Sequence, residues 1–290
     1  MKILITGKNS YVGKNIKAWL EKNENYKVDE LDLKNEEWID FNFQEYQCII
    51  HVAAIVHQAK KNTSWETYKT VNTLIPYQVA LKAKQEGVRQ FVFLSTMGIY
   101  GQEKKLPRGN IIDSNTPISP NSYYGRSKYE AELLINRLND YTFKICIIRP
   151  PSIYGKDCPG NYFMSFIKIA KYLPVFPKVY TESKQSFLYI DNLSELIRLA
   201  INQNSSGIFM PQDGLPVSAV ELIETISNSL NKKMWMSKTL GLLMRVFSKM
   251  SLVNKVYGGI SYSNNLSDIS IGNYKIIPFC EAVRIIIRGD

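Results

Sequence analysis

An α/β fold, built on a doubly wound parallel sheet with a smaller C-terminal lobe, is what this sequence predicts. Three observations carry that expectation. Short β-rich runs alternate with helical stretches, the first run closes on a glycine turn that opens a helix, and the alternation loosens after "RPPSIYG" (Arg149–Gly155). Strand–helix–strand units at this spacing cross over right-handed and lay their strands parallel.

Taken in order, "KILIT" (Lys2–Thr6) is the first strand, followed by a helix over Val12–Lys22 and a second strand over Val28–Leu33. Cys48–His51, Phe91–Ser95 and Phe143–Arg149 are further strand-like runs. Helical patterns fill the gaps over Trp65–Glu86 and Ser122–Leu138. Residues 1–155 are thus expected to form the core and 156–290 mainly the lobe, with about 187–203 returning to the core. Pro159, Gly160, Pro174 and Pro177 break the start of the lobe into short pieces, and helices are expected over Asp191–Asn202 and Ser218–Leu230. "MSKTLGLLMRVFSKM" (Met236–Met250) is amphipathic and basic. A lobe helix burying its Leu/Met/Phe face is favoured there over contact with a membrane surface. "IPFCEAVRIIIRGD" reads as a final docking helix.

Composition narrows the function classes. The 290 residues, 45% of them hydrophobic, can bury a sizeable core. No apolar run reaches the roughly 18–20 residues that span a bilayer. The N-terminus begins as a strand rather than a signal peptide, so a cytoplasmic protein without a transmembrane segment is expected. Cys48 and Cys146 lie in apolar runs, while Cys158 and Cys280 are isolated. With no metal-ligand spacing, all four are expected to be small buried hydrophobes, and no metal is expected. His51 and His57 are the only histidines, which removes most zinc and Ser-His-Asp schemes. The net charge of +10 favours anionic partners. The lysines are scattered and no basic run interleaves with aromatics, so no motif supports a nucleic-acid partner. A phosphate-bearing small substrate and a merely lysine-rich composition fit the charge equally well, and charge alone decides nothing.

The turn "TGKNSYVG" (Thr6–Gly13) is the first chemical signal. Gly7 permits the tight turn and Gly13 lets the helix pack close to the sheet. The free N–H groups of the helix start, around Tyr11 and Val12, suit a pyrophosphate. Asp32 ends the second strand, 25 residues beyond Gly7. There it can accept hydrogen bonds from the adenosine ribose, favouring NAD over NADP. Asp29 and Glu30 are rivals for that role, and Lys8 and Lys34 could host the 2′-phosphate of NADP. Asp40 in "WIDFN", with Phe41 beside it, is a candidate contact for the adenine.

"YYGRSK" places Tyr124 and Lys128 four residues apart, on one face of a helix. A tyrosine with a pKa near 10 is a poor base at neutral pH. An ammonium at about 4 Å, at an effective dielectric near 20, favours its phenolate by roughly 4 kcal/mol. The pair is therefore expected to depress the Tyr124 pKa. In "FVFLSTMGIYG" a strand ends at Ser95–Thr96, where a hydroxyl can bridge the tyrosine and a sugar oxygen.

In order and spacing, "TGKNSYVG", "HVAA" (His51–Ala54), "VN" (Val71–Asn72), "LST…IYG", "YYGRSK" and "RPPSIYG" resemble the extended short-chain dehydrogenase/reductases, and "FLYIDNLSE" (Phe187–Glu195) resembles their later "YVxDxA" segment. The resemblance covers about residues 1–205. It implies a Rossmann-type, NAD-binding core and a nucleotide-diphosphate sugar as substrate, and leaves room for a homodimer. Tyr124 would be the acid/base, Lys128 would hold the nicotinamide ribose, and Thr96 would fill the Ser/Thr position. Val52, Ala53 and Ala54 would line the cofactor cleft, Pro150 and Ile153 would sit near the nicotinamide, and Asn72 and Ser95 would be lesser cofactor contacts. Ser10 departs from the pattern at the middle glycine, so the cofactor is expected to sit slightly differently. Asn161 in "CPGNYF" matches a position that contacts the substrate diphosphate. Lys184 stands near the place of the family's arginine, and Ser152 replaces an asparagine. Thr96 is followed by Met97-Gly98 rather than the Asp-Glu pair of the 4,6-dehydratases, which sets dehydration aside. A 4-epimerase is the leading expectation, ahead of a 4-ketoreductase using NAD(P)H and of a dinucleotide-sensing regulator.

Overall fold

The computed structural model describes all residues except 57–62, 105, 160–161, 268–270 and 290. Its centre is a six-stranded, fully parallel sheet: β1 (Lys2–Thr6), β2 (Lys27–Leu31), β3 (Cys48–His51), β4 (Gln90–Leu94), β5 (Lys144–Ile148) and β6 (Gly207–Phe209). Their spatial order is β6-β5-β4-β3-β1-β2. The chain reverses direction across the sheet between β1 and β3. Such a switch point opens a crevice beyond the carboxyl ends of the strands, where ligands of open α/β sheets bind.

The inner strands β1, β3, β4 and β5 are largely apolar because both faces are covered, while the edge strands β2 and β6 are partly exposed. In β1, Ile3 and Ile5 face one core and Leu4 the other; Ile50 and Ile49 of β3, and Val92 and Phe93 of β4, divide the same way. This is the period-2 alternation of a strand expressed entirely in buried side chains. On the first face lie α1 (Tyr11–Leu20) and α6 (Ile190–Asn202). They are tied together by Trp19 Nε1 donating to Glu195 at 3.0 Å. On the second face lie α3 (Ile75–Gln85) and α4 (Tyr123–Asn136).

The helix expected over Trp65–Glu86 is not continuous. It divides into α2 (Trp65–Lys69), a π-helical turn (Thr70–Leu74) and α3. Single π turns collect at functional sites, and this one faces the first turns of α4, with Thr73 Oγ1 donating to Ser127 O at 2.8 Å.

The remaining elements are α5 (Tyr162–Tyr172), α7 (Ala219–Ser229), α8 (Lys238–Val246), α9 (Ser251–Tyr257), α10 (Phe279–Arg288) and short two-stranded pairings. Ser218 and Glu221 form a reciprocal capping box at the start of α7. Two expectations fail in this region. Cys280 is exposed and Cys158 half-buried, so only Cys48 and Cys146 are core residues. The apolar side of Met236–Met250 is not buried either: Leu240, Leu242, Leu243, Val246, Phe247 and Met250 are all exposed. The buried residue of α8 is Gly241, where a Cβ would lie 2.2 Å from the Lys178 carbonyl. The helix rests on the body through its smallest residue, with Met244 half-buried against the core, and turns its leucines and Val246 outward.

Candidate active site

The crevice at β1 and β3 is shaped by close backbone approach. Gly7 has φ +112°, and a Cβ there would lie 2.9 Å from Ala53 N and 3.1 Å from Val52 Cγ2. Val52 N and Ala53 N both donate to Thr6 O at 3.1 Å, which fixes the chain leaving β3 against the turn. Gly13 is buried, with Ile5 and Val52 beside it. Ser10 is the N-cap of α1, its hydroxyl accepting from Gly13 N at 3.1 Å. That explains how a side chain is tolerated at the middle glycine position: the hydroxyl folds back onto the helix start. Tyr11 buries its hydroxyl against Gly155 and Ile190, where burial raises its pKa; Val12 is half-buried behind it.

Asp32 follows β2 directly, half-buried, and accepts from Lys34 N at 3.0 Å. Its two rivals are engaged elsewhere. Asp29 accepts from Tyr46 Oη at 2.9 Å, and Glu30 accepts from Asn9 N at 3.3 Å. Asp40 is exposed, and Phe41 packs near Phe43 and Tyr46. A dinucleotide fits this arrangement: a glycine cradle that a Cβ would fill, a helix N-terminus behind it, and a carboxylate at the end of β2.

Behind the crevice, His51 is fully buried at the end of β3, its Nδ1 2.8 Å from Thr6 Oγ1. Burial, with Lys128 nearby, pushes its pKa down to about 3, so the ring is neutral. His57 lies outside the described residues. Ala54 is half-buried. The next residue, Ile55, is held by Asn72 of the π turn: Ile55 N donates to Asn72 Oδ1 at 2.8 Å, and Asn72 Nδ2 donates to Ile55 O at 2.9 Å and to Ser127 Oγ at 3.1 Å. Asn72 thus clamps the cofactor loop to α4, spending its amide on protein partners.

Helix α4 starts at Ser122, whose hydroxyl accepts from Gly125 N at 3.1 Å. Gly125 allows the helix to abut the turn after Thr96: a Cβ there would lie 2.6 Å from Gly98 O. Thr96 caps that turn and is hydrogen-bonded with Tyr124. Lys128, one helical turn on, is buried with its ammonium donating to Leu94 O at 2.7 Å and lying 4.4 Å from the Phe93 ring centre. The expected depression of the Tyr124 pKa is not found. Burial of the hydroxyl pushes it up to about 12, against the opposing hydrogen bond from Thr96. Burial also pulls Lys128 down to about 7, with Glu132 pulling the other way. Desolvation dominates at Tyr124, while the Lys128 ammonium is directed to the β4 carbonyl.

Ser95 does not face the crevice; its hydroxyl is hydrogen-bonded to Glu132. Glu132, which continues the four-residue spacing of Tyr124 and Lys128, is buried and held by Arg149, with Nη2 to Oε2 at 2.6 Å. Arg149 also donates to Tyr100 Oη at 2.9 Å. This ion pair beneath the site was missed in the sequence, although the spacing 124, 128, 132 signals it. Pro150 is buried, its carbonyl accepting from Met97 N at 2.9 Å. Ile153 lies in a strand, Ser152–Tyr154, paired with Phe187–Tyr189.

Of the substrate candidates, Asn161 lies outside the described residues. Lys184 is paired with Glu221 at 3.5 Å. Ser152 accepts from Gln185 Nε2 at 2.8 Å, and Gln185 Oε1 accepts from Lys104 Nζ at 2.9 Å. Lys104 also lies 4.0 Å from the Tyr162 ring centre, and burial lowers its pKa to about 8. It forms no ion pair among the described residues. No local pattern in "GQEKKLPRG" marked it. Among the described residues, no cluster of His, Cys, Asp or Glu is placed to hold a metal ion.

The model of the NAD-dependent epimerase/dehydratase family matches residues 3–209. The chain belongs to that family. This family member is 26% identical to a UDP-glucose 4-epimerase of Vibrio cholerae over 281 residues, covering 88% of this chain and 85% of the relative. It is 31% identical to a GDP-6-deoxy-D-talose 4-dehydrogenase of Aggregatibacter actinomycetemcomitans over 222 residues, 70% and 71% of the two chains. In fold it is similar to a dTDP-4-dehydrorhamnose reductase from Clostridium acetobutylicum, with a TM-score of 0.72, 21% identity and 99% of each chain covered. It is an NAD-dependent enzyme of the extended short-chain dehydrogenase/reductase type, within a group that holds epimerases, dehydrogenases and reductases. No helix among the described residues is long and apolar enough to cross a membrane.

Proposed function

We propose that the chain is a nucleotide-sugar 4-epimerase, acting on a UDP-hexose-like substrate by transient oxidation at C4. The hydrogen bond between Tyr124 and Thr96, beside the dinucleotide crevice, carries this reading. Gly7, Ser10, Gly13, Val52, Ala53 and Asp32 would hold the cofactor, with Lys128 close to the nicotinamide ribose. Bound there, the dinucleotide supplies a reversible hydride acceptor, so the chain itself has only to manage the proton on the C4 oxygen. Tyr124 Oη takes that proton as phenolate, the form that burial alone disfavours and that the positive charge of an oxidised nicotinamide beside it would favour. It then returns the proton, and Thr96 Oγ1 orients the tyrosine and the sugar oxygen. Residues 1–155 would hold the cofactor and 156–290 mainly the sugar nucleotide, with 187–203 returning to the core. Lys104, bridged by Gln185 to Ser152, is better placed than Lys184 for the substrate diphosphate, because it has no carboxylate to leave. The similarity to the Vibrio cholerae 4-epimerase along most of both chains supports the epimerase.

The test is how the cofactor behaves. With UDP-glucose or UDP-N-acetylglucosamine, the protein should form the C4 epimer with no added NADH and no steady change at 340 nm. Lys104→Gln should raise KM in that assay more than it lowers kcat. Stoichiometric loss of NAD(P)H with a 4-keto-6-deoxy sugar nucleotide, and no epimer from the other two, would reassign the enzyme as a 4-ketoreductase.

Asp32 is proposed to select NAD. Titration of cofactor-free protein should show tighter binding of NAD than of NADP, and Asp32→Ala should narrow the gap by roughly 1–3 kcal/mol. A wild-type preference for NADP would mean that Lys8 and Lys34 outweigh the carboxylate.

A further inference from the structure

We propose that α8 and the turn after it form a docking surface for an anionic lipid bilayer. In α8, Leu242, Leu243 and Val246 are 67%, 56% and 76% exposed. At 100° per residue they project from the side opposite Gly241, the residue that rests on the body. Phe247, Met250 and Leu252 extend the exposed apolar surface. Lys238 and Arg245 fall on the flank of the helix between that surface and the body, and Lys249 follows in the turn after it. From Met236 to Tyr257 there are four cations and no acid, and none of the four forms an ion pair among the described residues. Arg245 and Lys249 also line a cavity of about 790 Å³, together with Arg108 and a single acid, Glu182.

An apolar strip bordered by cations on a helix far too short to span is the geometry of an element lying in the plane of a membrane interface. Anionic headgroups supply the charge that the chain itself does not. A second copy is the weaker occupant. A two-fold dimer through this face would bring the patch against itself, setting Lys238, Arg245 and Lys249 near their own images.

Flotation of the full chain with vesicles tests this. At low salt it should float with phosphatidylglycerol/phosphatidylcholine vesicles but not with phosphatidylcholine alone, and 0.5 M salt should weaken the binding. The double variant Leu242→Ser/Val246→Ser should bind at least about tenfold more weakly. The triple variant Lys238→Glu/Arg245→Glu/Lys249→Glu should bind roughly a hundredfold more weakly, since each basic residue near such a surface is worth about fivefold. Dinucleotide binding by the Leu242→Ser/Val246→Ser variant should be unchanged, which checks its fold. Absence of binding to the anionic vesicles, or variants that float like the wild type, would overturn the proposal. So would a dimer that the serine variant dissolves while no vesicles are bound.

Discussion

Tyr124→Phe should retain the fold and the dinucleotide yet lose about a hundredfold or more in turnover, because in the proposed reaction the phenolic oxygen carries the C4 proton. The substitution removes the hydroxyl hydrogen-bonded with Thr96 and leaves the ring, which fills the half-buried position between α4 and the turn after β4. Thermal unfolding and dinucleotide titration should match the wild type, and the loss should appear in kcat. Near wild-type turnover with a cognate sugar nucleotide would remove Tyr124 from the acid/base role. Thr96→Val should slow the enzyme less, since it takes away an orienting hydroxyl at nearly constant volume.

The second large effect concerns stability. Glu132→Ala should destabilise the fold by about 3–5 kcal/mol, because it leaves the Arg149 guanidinium buried without its carboxylate. It also frees Ser95 and removes the one carboxylate that works against the desolvation of Lys128. Denaturant unfolding of Glu132→Ala and of the double variant Glu132→Leu/Arg149→Met separates the causes. The double variant should recover much of the loss, since it leaves no orphaned charge. Equal instability in both would assign the effect to packing rather than to the uncompensated ion. Wild-type stability in Glu132→Ala would show that the pair contributes nothing.

How much of this could be read from the sequence depends on how local the cause is. The inner strands were legible because burial on both faces makes them nearly continuous apolar runs, as in "CIIH" and "KICII". Tyr124 and Lys128 were legible because four residues on a helix fix their common face. What the sequence could not display is how deeply the pair is buried: Lys128 reaches Leu94 O, 34 residues away, and desolvation raises the Tyr124 pKa instead of the expected depression. Distant partners hid for the same reason. Lys104 meets Gln185 across 81 residues, and neither belongs to a recognisable pattern. The π turn escaped because its apolar periodicity is that of an ordinary helix. In α8 the amphipathic pattern was plain, but a pattern says only that two faces differ, not which of them meets the protein. Gly241 decided that.

Asn72 has a mechanical consequence. The loop leaving β3 is pinned at Ile55 by two of its hydrogen bonds, and the third reaches Ser127, which lies between Tyr124 and Lys128 on α4. The loop beside the crevice and the helix that bears Tyr124 are thus fastened by one side chain, itself set by an irregular turn between α2 and α3. Lifting the loop while leaving the helix undisturbed would mean abandoning both bonds to Ile55, or the buried one to Ser127. The position of Ile55 beside the crevice and that of Ser127, between Tyr124 and Lys128, are therefore set by one amide, so a shift of either strains its bond to the other.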